Sequence, residues 1–442
     1  MSHQHDLPPV AGADMDRASR VADPGNSALR EEFARLAAMN EAPITVPAPT
    51  TGPRPAPTKV PAGRLFLVFL RLGLTAFGGP AMVAYIRDLA VKKYRWLSQK
   101  VFEDGTALCQ SIPGATAMQA AGYVGLRAGG PLGALAAFVG FGLPAFAFML
   151  AFSAAYRAGH DLRPVLAMFH GLNVIVVAII ANAALTFGRT SLRNWRDGVL
   201  AAGAAAFLVF HGSPIIAIAA SAVLSNFLYR GADLPAKHVH APSLGSRSRI
   251  LAFAAFLVTL VVVGVAVLFL LDRRLFELAT LMLKVDLFAF GGGFASVPLM
   301  LHEVVDVLSW LDSKMFMDGI ALGQITPGPI VITAAFVGYQ IAGVLGAVVG
   351  TIAIFTPSFL MVLVTVPYFD RLQHSRWFRR ALRGILASFV GLLVAVTIHF
   401  GMAIAWSIPT GLIAAVAVAA LLARVDVLWV VLGGASVSVF VL

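Results

Sequence analysis

The 442-residue chain is 59% hydrophobic and only 12% charged, about half the charged fraction of a soluble globular domain. Its apolar runs are too many and too long for one buried core, and at about 20 residues each they match bilayer thickness, which excludes a soluble protein. The formal net charge of +11 reads as the Lys and Arg excess of cytoplasmic loops, not as a nucleic-acid surface.

Residues 1–64 stand apart. The stretch "ITVPAPTTGPRPAPTKVPAG" is rich in Pro, Ala and Thr and carries no apolar run, which predicts a disordered cytoplasmic tail. The start "MSHQHDLPPVAGADMDR" has no hydrophobic core of a signal peptide, so no cleavage is expected. Its "HQH" is at most a weak metal binder, and no metal site is expected.

Thirteen hydrophobic segments follow, near 65–87, 104–126, 131–156, 165–188, 196–210, 214–229, 250–271, 276–299, 316–341, 343–367, 381–401, 408–422 and 427–442. A basic linker at 230–249 precedes the seventh. The expected domains are therefore 65–229, a linker plus connecting helix at 230–271, and 272–442. The two sixes are copies. A shift of 213 puts Arg71 on Lys284, Phe77–Gly78–Gly79 on Phe290–Gly291–Gly292, Gly125 on Gly338, Gly130 on Gly343, Gly133 on Gly346 and Pro144 on Pro357. One extra residue in the loop makes the shift 214 for Trp96 and Trp310, Asp104 and Asp318, Gln110 and Gln324, and Pro113–Gly114 and Pro327–Gly328.

An odd number of crossings inverts the second copy, a recurrent design of secondary transporters. Basic residues gather best on one side when the first two segments of each copy enter and leave by the same face, with the N-terminus cytoplasmic and the C-terminus external. A segment that turns back inside a bilayer needs a break at its tip. "FGGP" and "FGGG" supply one, and "SIPGAT" and "TPGPIV" supply the next. The expectation is four re-entrant hairpins meeting near the midplane, in an all-α polytopic membrane protein of two inverted six-segment halves.

A broken helix leaves free N–H groups at the start of its second half, an anion site that needs no charged side chain. Four such tips suit a small tetrahedral oxyanion. Arg71 and Lys284 fall inside hydrophobic segments and align, so they could together neutralise a dianion, or snorkel to the headgroups. Asp286 has only Gly73 as its counterpart and could pair with Lys284 or carry a proton. Gln110 and Gln324 precede the Pro-Gly breaks, and amides can donate to oxyanion oxygens. Ser111, Thr116, Thr326 and Thr333 offer hydroxyls at the same level, or bond helix to helix. His170 and Arg383 align but open helices beside basic loops, which suits an interfacial role. Cys109 reads as a small buried hydrophobe. The chain has no phosphate-binding "GxxxxGK[ST]" loop, "HExxH" or "GxSxG", so it is expected to be neither an ATPase nor an enzyme, with no cofactor.

"FGGP", "FGGG", "ITPGPI" and the duplicated layout resemble the chromate ion transporter (CHR) family in its long two-domain form, over about 65–442. The resemblance implies oppositely oriented halves and export of chromate from the bacterial cytoplasm across the inner membrane, giving resistance, driven by the membrane potential or proton motive force. It carries over Phe77, Gly78, Gly79 and Pro80, Phe290, Gly291 and Gly292, and Pro327, Gly328 and Pro329. Pro113 and Gly114 hold the matching place in the first copy, where "SIPGAT" departs from "TPGP". The alternatives are transport of sulfate or another small oxyanion, an anion channel, or a membrane scaffold. The expected partners are the oxyanion and the bilayer.

Overall fold

A computed structural model describes residues 59–77, 81–159, 163–230, 247–368 and 375–441. Among these residues the regular structure is entirely helical. In the first half the helices are α1 (Ala62–Thr75), α2 (Ala81–Arg87), α3 (Gln99–Ser111), α4 (Thr116–Gly159), α5 (Arg163–Ser191), α6 (Trp195–Val209) and α7 (Pro214–Leu228). The connecting helix is α8 (Arg247–Leu271). The second half holds α9 (Arg273–Phe288), α10 (Ser296–Leu301), α11 (Ser313–Ile325), α12 (Thr333–Thr365), α13 (Arg376–Ala403), α14 (Ile408–Leu422) and α15 (Val427–Val441). Five helical stretches are long and apolar enough to cross a membrane: 116–159, 165–191, 247–271, 330–368 and 376–403. Residues 1–58 of the expected tail lie outside the described residues, and its last three, Ala62–Arg64, already belong to α1.

The first two hydrophobic segments of each half are not single helices. Each breaks in the middle and doubles back. Arg64, near the start of α1, lies 5.9 Å from the ring of Tyr94, beyond the end of α2. Along one straight helix those positions would stand about 45 Å apart. In the next hairpin Tyr123 Oη donates to the carbonyl of Val101 at 3.0 Å. In the second half Lys284 Nζ reaches Glu303 Oε1 at 2.5 Å, and the Phe336 ring packs on Gly319, where an added Cβ would come within 2.5 Å of it. Four hairpins result, at 62–93, 99–129, 273–307 and 313–341.

The duplication extends to single hydrogen bonds. A π-helical turn closes the returning arm at Asp88–Lys93 and again at His302–Val307. Just after it, Arg95 has φ 51° and its counterpart Ser309 φ 50°. The amides of Trp96 and Trp310 then donate to Ala90 and Val304, each at 2.8 Å. Ser98 caps α3 through the amide of Val101, as Asp312 caps α11 through Met315.

Within α4 and α12 the chain folds sharply at Gly130 (φ 75°) and Gly343 (φ 61°), a backbone region that residues with a Cβ disfavour. The arms on either side then run so close that a Cβ on Gly125 would sit 2.3 Å from the Gly133 carbonyl, and one on Gly338 2.1 Å from that of Gly346. This explains why those glycines recur at matching places. The two long arms join the halves at the centre, where Phe138 lies 4.9 Å from Phe359 and 6.2 Å from Phe355. By contrast α8 is almost wholly exposed, with Phe256, Leu260 and Val262 facing outward, as a lipid-facing helix should be.

Candidate functional site

The four tips are stitched together across the halves. Gly114 donates its amide to the carbonyl of Ala289 at 2.9 Å, and Gly328 donates to Ala76 at 3.1 Å. Gly114 and Gly328 are repeat mates, as are Ala76 and Ala289, so the bonds form a symmetry-related pair. Both glycines need positive φ, 116° and 125°. Gly291 and Gly292, at φ 96° and 99°, make the tip of the third hairpin. Gly78, Gly79 and Pro80 lie outside the described residues.

A cavity of about 1010 Å³ opens beside these tips. The starts of all four returning arms border it: Met82 and Val83, then Ala115–Ala117, Gly291–Phe294 and Gly328–Ile330. The first amides of a helix have no acceptor one turn earlier. The arm after Gly292 closes its first turn only at Ala295 N–H, 3.0 Å from the Gly292 carbonyl, and the arm after Pro329 only at Ile332, 3.0 Å from Pro329. Gly291 and Gly292 bring backbone to the wall with no side chain in front of it.

Gln110 and Gln324 both line the cavity. Gln324 Nε2 is buried with no hydrogen-bond partner among the described residues, a donor left for something in the cavity. Ser111, Thr116 and Thr326 line it too. Thr333 does not, and gives its hydroxyl to the Ile330 carbonyl at 2.8 Å. Pro329 is part of the wall, whereas half-buried Phe77 and Phe290 and buried Pro113 and Pro327 do not line it.

The cations at the cavity are not the ones the sequence singled out. Arg71 is exposed and absent from the wall. Lys284 is held by Glu303 at 2.5 Å and is likewise absent. Arg87, Arg193, Arg379 and Arg383 line the cavity instead, against one carboxylate, Glu103. They come from three separate places, the end of α2, the turn between α5 and α6, and α13, so no single stretch announced them. The readable trace was the i, i+3, i+4, i+7 row of Arg379, Leu382, Arg383 and Leu386 on one face of α13. The interfacial role expected of Arg383 is thus replaced by a place in the cavity wall.

Arg383 is fixed from behind. Its Nε and Nη2 donate to Oδ1 and Oδ2 of the fully buried Asp197 at 2.9 and 2.8 Å. Tyr229 Oη donates to Oδ1, and the amides of Arg193 and Asn194 donate to Oδ2 at 2.9 and 3.0 Å. Such a fork-to-carboxylate pair sets the guanidinium plane as well as its position.

Asp286 is fully buried and does not meet Lys284. Its Oδ2 accepts the amide of Ser358 at 2.7 Å, and Ser358 Oγ in turn accepts the amide of Ala115 at 2.8 Å. The asymmetric acid thus braces the second tip from behind. In the first half Gly73 and Ala145 replace Asp286 and Ser358, and the helices close directly, with a Cβ on Gly73 only 2.4 Å from the Phe141 carbonyl. Cys109 is buried, as expected.

A duplicated helical membrane protein whose broken helices end around one polar cavity belongs to the class of membrane transporters built from repeats. The chain belongs to the chromate transporter family, whose profile matches residues 63–226 and again 276–439. It is 45% identical to an uncharacterised transporter of Methanocaldococcus jannaschii over 83% of this chain and 91% of that protein. It is 32% identical to a chromate transport protein of Cupriavidus metallidurans (81% and 87% covered) and 31% identical to one of Pseudomonas aeruginosa (82% and 86%). These relatives are transporters and not enzymes. No solved structure matches the chain.

Proposed function

We propose that the chain is a secondary transporter of a divalent tetrahedral oxyanion, chromate in the first place, exporting it across the bacterial inner membrane and so conferring chromate resistance. The observation that carries this reading is the convergence of four helix starts and the Gln110–Gln324 pair on one cavity. Backbone amides and neutral amide side chains surround a small dianion without the fixed counter-charge that would hold it permanently. The relatives named as chromate transport proteins support the choice of ion.

The charge distribution supports the outward direction. Arg87, Arg193 and Arg379 belong to segments next to the loops that the positive-inside bias assigns to the cytoplasm, and all three reach the cavity. The cavity is then a cytoplasmic vestibule whose positive field gathers anions. The halves are inverted, the N-terminus is cytoplasmic and the C-terminus external. Arg383, aimed by Asp197, is a fixed charge in the wall of that vestibule, and the tips bind the ion once its water is shed.

Chromate uptake into everted membrane vesicles, with and without an imposed proton gradient, tests this. Saturable uptake that sulfate inhibits is expected. Uptake no greater than in vesicles lacking the protein would refute the reading, and uptake that never saturates would make the protein a channel.

A further inference from the structure

A second cavity, of about 90 Å³, lies at the other end of the same helices. Arg379–Leu386 of α13 face the large cavity, whereas Ala395–Met402 face the small one. The arm after Gly292 behaves alike: Gly293 borders the large cavity, and Pro298, Leu301, His302 and Asp306 border the small one. On α13 the centres of the two sets are about 24 Å apart. The small cavity therefore sits beyond the tips, away from the vestibule. The repeat links the two places, since Leu301 in the small cavity is the mate of Arg87 in the vestibule, at the shift of 214.

Three of its wall residues are histidines, one from each of three elements: His211 after α6, His302 on the arm of the third hairpin, and His399 on α13. His302 is only 8% exposed. Its Nδ1 lies 3.6 Å from Asp306 Oδ2, too far for a hydrogen bond, and has no other partner among the described residues. His399 Nε2 lies 3.1 Å from Ser313 Oγ. The neighbouring charges are accounted for, with Glu303 held by Lys284 and Asp312 spent on the cap of α11. No group of three His, Cys, Asp or Glu is placed to hold a metal among the described residues. Pro298, Leu301, Val396 and Ile398 complete an apolar wall.

We propose that this cavity is the release-side vestibule of the transporter in its closed state, and that its three histidines form a proton-binding site facing that side. The inference rests on the transport reading above. The two vestibules differ in kind, because arginine charge is permanent whereas histidine charge follows the pH of the compartment it faces. With the histidines neutral, an arriving dianion meets the Asp306 carboxylate and leaves. With them protonated, it is retained and turnover slows.

Chromate uptake into everted vesicles, whose lumen is the release side, is measured with lumen pH set to about 5.5 or about 7.5 and the bath held constant. Wild type is expected to take up chromate several-fold faster at the higher lumen pH. His302→Gln and His399→Gln, each tested alone at matched membrane abundance, are expected to flatten that dependence, and His211→Gln to reduce it. If His302→Gln does not reach the membrane, the other two variants decide. Wild-type uptake indifferent to lumen pH overturns this inference alone, as does an unchanged dependence in the variants that reach the membrane. Absence of saturable wild-type uptake overturns the transport reading and this one together.

Discussion

Replacing Gly328 by alanine tests the tips directly. The residue sits at φ 125°, where a side chain costs about 1–3 kcal/mol. Its Cβ would lie 2.6 Å from that of Ala145, and overpacking of that kind costs about 1–3 kcal/mol more. Any shift that relieves the clash also strains the 3.1 Å bond from Gly328 to Ala76, a further 0.5–1.5 kcal/mol or so. The sum is roughly 2.5–7.5 kcal/mol, and even the lower figure is about a seventyfold loss of correctly formed tip. Gly130→Ala is the control: its φ is 75° and ψ −163° and nothing lies within 4 Å, leaving backbone strain of about 1–3 kcal/mol without the clash or the strained bond. Thermal unfolding of the purified protein and initial chromate uptake in vesicles are measured for both. Gly328→Ala should lose nearly all uptake while Gly130→Ala keeps most of it, and adding Ala145→Gly should restore only part. If Gly328→Ala matches Gly130→Ala in both assays, the tips are not the working surface.

Asp197→Ala leaves Arg383, 18% exposed, without its carboxylate and should cost about 3–5 kcal/mol. Combining it with Arg383→Met should recover most of the melting temperature but not transport, which separates the stability of the pair from the use of its charge. Gln324→Ala removes one donor to a charged ligand, about 1.5–3 kcal/mol, and should raise the KM for chromate roughly ten- to a hundredfold. Lys284→Ala breaks a half-exposed pair worth about 0–1 kcal/mol and should change KM by less than about fivefold. Asp286→Ala orphans the buried amide of Ser358 at about 1–3 kcal/mol and should lower the melting temperature. Asp286→Asn, which keeps an acceptor there, should not, and equal losses in both would mean that the charge itself is needed.

The breaks were legible because glycine and proline are read directly from the chain, and their recurrence at a shift of 213 or 214 marked both copies. The hairpins were legible because the loop at 87–100 carries too much positive charge for the far side of a membrane. What the sequence hid was convergence. Arg87, Arg193 and the Arg379–Arg383 pair of α13 sit far apart in the chain as ordinary loop-flanking cations, and only the fold brings them to one wall. Arg71 and Lys284 drew attention because they stand within apolar runs. A helix has an outer face, however, and a long basic side chain can leave the apolar layer along it, as exposed Arg71 does. Asp286 was visible as an asymmetry, but its partner was not, since Ser358 lies 72 positions away beside a kinking proline.

The exchanged bonds from Gly114 to Ala289 and from Gly328 to Ala76 have a consequence for assembly. Neither half finishes its own centre. A half made alone would present an amide and a carbonyl with no mate, deep in a lipid-like medium that cannot solvate them. Two separately synthesised halves, the second carrying α8, should therefore be inert singly yet able to complement each other.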